Sequence, residues 1–315
     1  MRSFYKLICL AAFLPLGIGS TAAVADSSDP VKIALNNWSS QNISSYILGG
    51  ILERQGQKVE YIQADSMAQF AGLETGDITF QTEIWPTTMG ARFSEALGTG
   101  QVLDMGELGA QAIEEWWYPL YVKEFCPTLP DWKALLEPEC VKAFATPQTG
   151  DKARYLGGAA DWGGFDDERV EALGLSWKVI HAGSDIPLWA EVESAYKRKA
   201  PIMIWGYLPH WWPTKYEGEF VNFPEYTEAC YEDASWGINP NAKYDCGKPR
   251  GVLRKAASKS GEEKWPASYA VMKKMQLTDA QYAALISRLE LDGVPLKQVA
   301  DEWLDANEEI WSKWH

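Results

Sequence analysis

Residues 31–86 read VKIALNNWSSQNISSYILGGILERQGQKVEYIQADSMAQFAGLETGDITFQTEIWP, and their rhythm decides the fold. In Val31–Trp38 the apolar residues Val31, Ile33 and Leu35 alternate, the period of a strand. Ser39-Ser40 is placed to cap the next segment. There Ile43, Tyr46, Ile47 and Ile51 recur at helical spacing, up to a stop at Gly56. Lys58–Asp65 is a second strand, and Met67, Phe70 and Leu73 mark a short helix. After the Gly76-Asp77 turn, Ile78–Trp85 (ITFQTEIW) is a third strand stopped by Pro86. Strand, helix, strand, helix, strand at this pace is the βαβ signature of a mainly parallel sheet flanked by helices, an α/β fold.

The pattern continues outward. Trp116–Lys123 is read as the segment that leaves this first unit. A second α/β set follows, with Lys142–Ala145 strand-like, Ala153–Leu156 helix-like and Arg169–Leu173 helical. Trp177–His181 (WKVIH) is then a strand, Leu188–Lys199 a helix and Pro201–Trp205 (PIMIW) a strand. Pro209 and Pro213 break the chain, which is expected to return there to the first unit. Trp265–Met275, Thr278–Leu289 and Leu296–Ser312 read as helices. The expected division is 26–118 plus 207–315 as one lobe and 119–206 as the other. A chain of 315 residues is natural for two such units.

Residues 1–25 read as an export signal to be removed. Arg2 and Lys6 open it, Leu7–Gly19 is apolar, and Ala23-Val24-Ala25 fits a small-x-small cleavage site. The apolar run is too short to span a membrane, and no later stretch is long enough. The mature chain is therefore expected to be soluble and periplasmic. Lys+Arg is 29 against Asp+Glu 43. That field repels nucleic acid. Cys126, Cys140, Cys230 and Cys246 form an even set, which in an exported protein reads as two disulfides. Three connectivities are open, and local pairing, Cys126–Cys140 with Cys230–Cys246, is the simplest. With only 3 histidines, and none inside either cysteine loop, neither a metal nor another cofactor is expected.

Tryptophan is the outlier, at 16 of 315 residues. Trp38, Trp85 and Trp205 stand where the expected strands end, and Trp162 lies in the turn Asp161-Trp162-Gly163-Gly164. Ligands of open α/β sheets bind beyond the carboxyl ends of the strands, so these side chains can meet in one crevice. Converging indole faces suit a compact, weakly hydrated cation such as trimethylammonium. Four contacts of about 2 kcal/mol each give a gross energy comparable to micromolar binding, so lobe closure and polar contacts must add to it.

Four pieces carry a resemblance: the first strand ending in Asn37-Trp38, the GDITFQTEIWP stretch, the Asp161–Gly164 turn, and Ile204-Trp205 followed by Pro209-His210-Trp211. The chain resembles the periplasmic substrate-binding proteins of ABC importers for glycine betaine, proline betaine, choline and similar osmolytes. The resemblance implies a type II-like periplasmic binding protein of two lobes that close about a hinge. It implies a monomer that delivers a small methylated ammonium solute to an inner-membrane ABC permease. It further implies an aromatic box with Trp38, Trp85, Trp162 and Trp205 as walls, and Trp116 and Trp117 as further candidates. Choline binders of the family carry aspartate two residues after the first box tryptophan. Ser40 stands there, against choline. Glu115, with Glu114 as its alternative, precedes the expected crossing; a glutamate in the box disfavours a ligand carboxylate and suits a cation or an N-oxide. Trimethylamine N-oxide therefore competes with betaine. For a carboxylate, the expected donors are Asn36, Asn37, Ser39, Ser40 and the free amides of the helix start.

Two other functions use tryptophan-lined clefts. A carbohydrate-binding protein stacks sugars on them. A glycoside hydrolase would also need paired carboxylates, for which Asp161, Asp166 and Asp167 are the candidates. No nucleophile elbow, zinc motif or phosphate loop is present, and the expectation is a receptor, not an enzyme.

Overall fold

The computed structural model describes residues 25–314; the expected export signal lies outside them but for Ala25. Its first half opens as the alternation requires. Strand β1 (Val31–Leu35) pairs in parallel with β2 (Val59–Gln63) and with β3 (Phe80–Ile84). Helix α1 (Ser39–Arg54) lies between β1 and β2, and α2 (Gln69–Thr75) between β2 and β3. Gly76, at φ 83°, ends α2 in the left-handed conformation that glycine adopts without strain. Helix α3 (Pro86–Gly98) starts on a proline, whose missing N–H costs nothing in a first helical turn.

Helix α1 is buried on most of its surface, including Ser39, Ser40, Gln41, Ser44 and Ser45. Polar groups there need partners, and the neighbouring strands supply them. Gln41 donates to the Ala34 carbonyl and to Gln81, while Ser45 donates to Ala34 and meets Thr82. Ser39 and Ser40 do not cap the helix as expected. Its N-cap is Trp38, in extended backbone, with no side-chain capping bond.

Strand β4 (Val102–Pro119), 18 residues long, joins the two halves. Its first part, to Ala112, pairs antiparallel with β9 (Gly251–Ser258), which also pairs with β3. From Ile113 it pairs instead with β7 (Ile204–Leu208), and then with β8 (Gly218–Phe220). Strand β7 is parallel to β5 (Ala153–Gly157), and β5 to β6 (Trp177–His181). Each half is thus parallel at its core, and the antiparallel ladders are those of the crossing strands. Helices α4 (Pro138–Phe144), α5 (Asp166–Ala172), α6 (Asp185–Arg198) and the short α7 (Glu228–Glu232) belong to the second half. Helices α8 (Pro266–Lys274), α9 (Asp279–Glu290) and α10 (Leu296–Ala306) return to the first, where α9 and α10 pack on α1.

Several elements differ from expectation. Residues 142–144 close a helix, and 145 is only an isolated bridge; Ala153–Leu156 is strand. Pro138 starts that helix, and Ala153–Leu156 is buried on both faces but for Arg154, so its periodicity distinguishes nothing. Strand β7 begins at Ile204, which makes Trp205 its second residue and not its end. Residues 116–119 are the end of β4 and not a linker. Residues 218–250 stay with the second half: β8 joins its sheet, and Asn239 donates to the Ala172 carbonyl of α5. Strand β9, which pairs with β3 and the first part of β4, begins at Gly251. The local cysteine pairs, Cys126–Cys140 and Cys230–Cys246, are both bridged.

Candidate functional site

Strand ends place two indoles in the first half: Trp38 follows β1 and Trp85 follows β3. The second half supplies Trp162, from the single turn Ala160–Trp162 after β5, and Trp205 and Tyr207 from β7. Trp162 lies 5.9 Å from both Trp38 and Trp205, at interplanar angles of 78° and 72°. Tyr207 stands edge-on to Trp85 at 5.8 Å and 89°. Rings at near right angles form walls and not a stack. Together with Thr88, Met89 and Glu114 they line one small pocket. The four expected tryptophans are therefore brought together.

Each wall is held from behind. Trp38 and Trp85 both donate their Nε1–H to Glu83 Oε1, at 2.7 and 2.8 Å. Trp162 donates to Asn37 Oδ1 at 2.7 Å, across the two halves. Trp205 packs so closely on Gly164 that a Cβ there would lie 1.8 Å from its ring. Lys248 Nζ sits 4.4 Å from the Trp205 ring centre, donates to the Gly164 carbonyl and pairs with Asp166 at 3.0 Å. Burial lowers the pKa of that lysine, against the pull of Asp166.

The two glutamates part company because successive side chains of a strand point to opposite faces. Glu114 faces the box. Burial pushes its carboxyl up to about 7, against the lowering effect of the Thr87 hydroxyl bonded to it and of the Lys248 charge. Glu115 faces away, where it takes Arg169 Nη1 at 2.5 Å and the Lys248 amide at 2.9 Å. It is Glu114 that lines the pocket.

Other expected site residues are placed elsewhere. Trp116 stacks on Tyr155 at 3.8 Å and donates to Asp166, and Trp117 packs on Trp212; both are fully buried core. The Ser39 amide, expected to receive a ligand anion, is taken by Asp185 Oδ2 at 2.7 Å, and Ser40 Oγ donates to Glu83. Asn36 is used internally, donating to Ala64 and Gln69. Asn37 supports Trp162 without lining the box. The carboxylates Asp161, Asp166 and Asp167 do not form a facing pair in the box. They bond to Ser66, to Lys248 and Trp116, and to His181 respectively.

Residues 29–306 match the family described as the substrate binding domain of an ABC-type glycine betaine transport system. The chain belongs to this family. Its members are solute receptors of ABC transporters, extracytoplasmic and not enzymes, that bind small ammonium solutes and work with membrane permeases. A relative is the trimethylamine N-oxide-binding protein of Pelagibacter ubique (strain HTCC1062), 36% identical over 317 residues and 98% of each chain. Among solved structures, the glycine betaine/L-proline-binding protein ProX of Borrelia burgdorferi superposes with a TM-score of 0.72 at 18% identity, over 91% of this chain and 96% of that one. A choline-binding protein in complex with choline gives 0.72 at 16% identity, over 90% and 91%. These superpositions establish the two-lobed periplasmic-binding-protein fold. No helix among the described residues is long and apolar enough to cross a membrane.

Glu83, Asp185, Tyr207 and Lys248 were absent from the expected site. For Glu83 a signal existed: an acid inside the otherwise uncharged strand segment FQTEI, flanked by a tryptophan.

Proposed function

We propose that this receptor captures trimethylamine N-oxide, in preference to glycine betaine, between its two lobes and hands it to an inner-membrane permease. The observation that carries this reading is Glu114 in a box whose lining has no basic side chain. Three methyl groups on a positive nitrogen suit the indole faces. An N-oxide oxygen is a strong acceptor, and a protonated Glu114 is a donor within the same box. A betaine carboxylate finds no cation in the lining and an acid that repels it when ionised. The best backbone anion site, the Ser39 amide, is already occupied by Asp185. The 36% identical relative named for trimethylamine N-oxide supports the same choice.

In this reading the lobes are 25–112 with 251–314, and 113–250, a division that the strand pairing supports. The hinge then runs through β4 near Glu114 and through the segment from Lys248 to Gly251. Closure is held by cross-lobe bonds, Ser39 to Asp185, Asn37 to Trp162 and Gly183, and Ser66 to Asp161. The receptor acts as a periplasmic monomer after loss of its signal peptide, and has no nucleic-acid partner.

Calorimetric titration with trimethylamine N-oxide, glycine betaine and choline tests the assignment. The N-oxide should bind with the highest affinity, and Trp85→Ala and Trp205→Ala should each weaken it strongly. Tighter binding of betaine or choline, or wild-type affinity in both variants, refutes it.

A further inference from the structure

Three donors converge on one oxygen of Glu83. Trp38 Nε1 and Trp85 Nε1 reach Oε1 at 2.7 and 2.8 Å, and Ser40 Oγ at 2.7 Å. Glu83 is fully buried in β3 and does not line the box. Burial pushes its carboxyl up, against the lowering effect of its bonds to Ser40, Trp38, Trp85 and Tyr282, and no lysine or arginine pairs with it among the described residues. Burying an unpaired acid is costly, and an apolar residue in its place would serve stability better. An indole N–H can only donate, so this one oxygen fixes how two of the four walls are turned.

We propose that Glu83 is a positioning residue of the box: one of its oxygens fixes how Trp38 and Trp85 turn their faces to the solute. The inference rests on the box being the solute site. A ring attracts a cation through its face and not its edge, so the turn of each indole decides what it contributes. One buried side chain thereby sets two walls without touching the solute.

The test combines Glu83→Leu and Glu83→Gln with indole N–H resonances of protein labelled with ¹⁵N-tryptophan. Leucine removes the acceptor, whereas glutamine keeps the shape and a carbonyl acceptor. Glu83→Leu should bind trimethylamine N-oxide at least about tenfold more weakly, a change of about 1.4 kcal/mol, and Glu83→Gln should stay within about twofold of the wild type. In Glu83→Leu the Trp38 and Trp85 N–H resonances, assigned through Trp38→Phe and Trp85→Phe, should shift together while the other indoles stay in place. Affinity of Glu83→Leu within about twofold of wild type overturns the proposal, as does lost affinity without those shifts or an equal loss in Glu83→Gln. A third measurement needs only the wild-type protein. Its Trp38 and Trp85 resonances should lie downfield of those of Trp117 and Trp205, whose N–H groups have no acceptor among the described residues, and coincidence with them also overturns the proposal. Failure of the wild type to bind the N-oxide refutes the function above, whereas wild-type binding with an unaltered Glu83→Leu variant refutes this inference alone.

Discussion

Trp162 is the wall whose contribution can be divided most cleanly. Its ring lies 5.9 Å from both Trp38 and Trp205, and its N–H crosses to Asn37 in the other half. Trp162→Ala removes a desolvated ring face, worth about 2 kcal/mol toward a cation, and a cross-lobe hydrogen bond worth about 1 kcal/mol. The sum of about 3 kcal/mol corresponds to an affinity loss on the order of a hundredfold. Trp162→Phe keeps an aromatic face and loses only the hydrogen bond, so its loss should be about fivefold. Titration calorimetry of both variants with trimethylamine N-oxide gives the ratio directly. Thermal melting without ligand should move little, because the side chain sits in a turn and its closest ring partners include one from the opposite half. Equal affinities for the alanine and phenylalanine variants would show that the ring face contributes nothing and would refute the aromatic-box reasoning.

Glu114 is pushed up to about 7 by burial, so it holds its proton below that value and loses it above. Affinity for the N-oxide should therefore fall as pH rises through about 7, and Glu114→Gln should flatten the profile in calorimetry. Because the folded pKa lies above the ordinary 4.5, the ligand-free protein should also lose stability as pH rises from 4.5 through about 7, a trend measurable by thermal melting. Gly164→Ala places a Cβ 1.8 Å from the Trp205 ring. The displaced indole should cost at least about tenfold in affinity, with a stability loss of about 1–3 kcal/mol from overpacking. Asp185→Asn weakens the bond to the Ser39 amide by about 1 kcal/mol and should speed ligand release about fivefold in stopped-flow fluorescence. Cys230→Ser with Cys246→Ser should lower stability by about 3 kcal/mol on the chain-entropy argument, and should weaken binding as well, since Lys248 follows that loop.

The sequence shows β1 to β3 plainly because their apolar residues alternate or run unbroken between clear turns. It hides β4 and β9. Strand β4 carries Asp104, Glu107, Gly106 and Gly109 among its apolar residues, and β9 carries Arg254 and Lys255, so neither keeps a clean period of two. Long-range antiparallel pairing between them, not local propensity, makes them strands. Pro209 and Pro213 resemble a linker, yet β8 after them still pairs with the end of β4, and pairing with β3 resumes only at β9. Trp38, Trp85 and Trp162 were legible because each stands beside a break, whereas Trp205 was picked for a strand end and lies inside β7. Trp116 and Trp117 stand beside a break equally well, and only their register opposite Trp205 and Ile204 puts them in the core. The same register turns Glu114 inward and Glu115 outward. No sequence pattern fixes that choice until the partner strand is known.

The central claim is that indoles from both lobes surround one methylated nitrogen. A crystal structure of the protein grown with trimethylamine N-oxide tests it most directly. The ligand nitrogen should lie within about 6 Å of the ring centres of Trp38, Trp85, Trp162 and Trp205, with its oxygen at hydrogen-bond distance from Glu114. Ligand bound outside these four rings, or bound among them with its oxygen turned away from Glu114, would contradict the account.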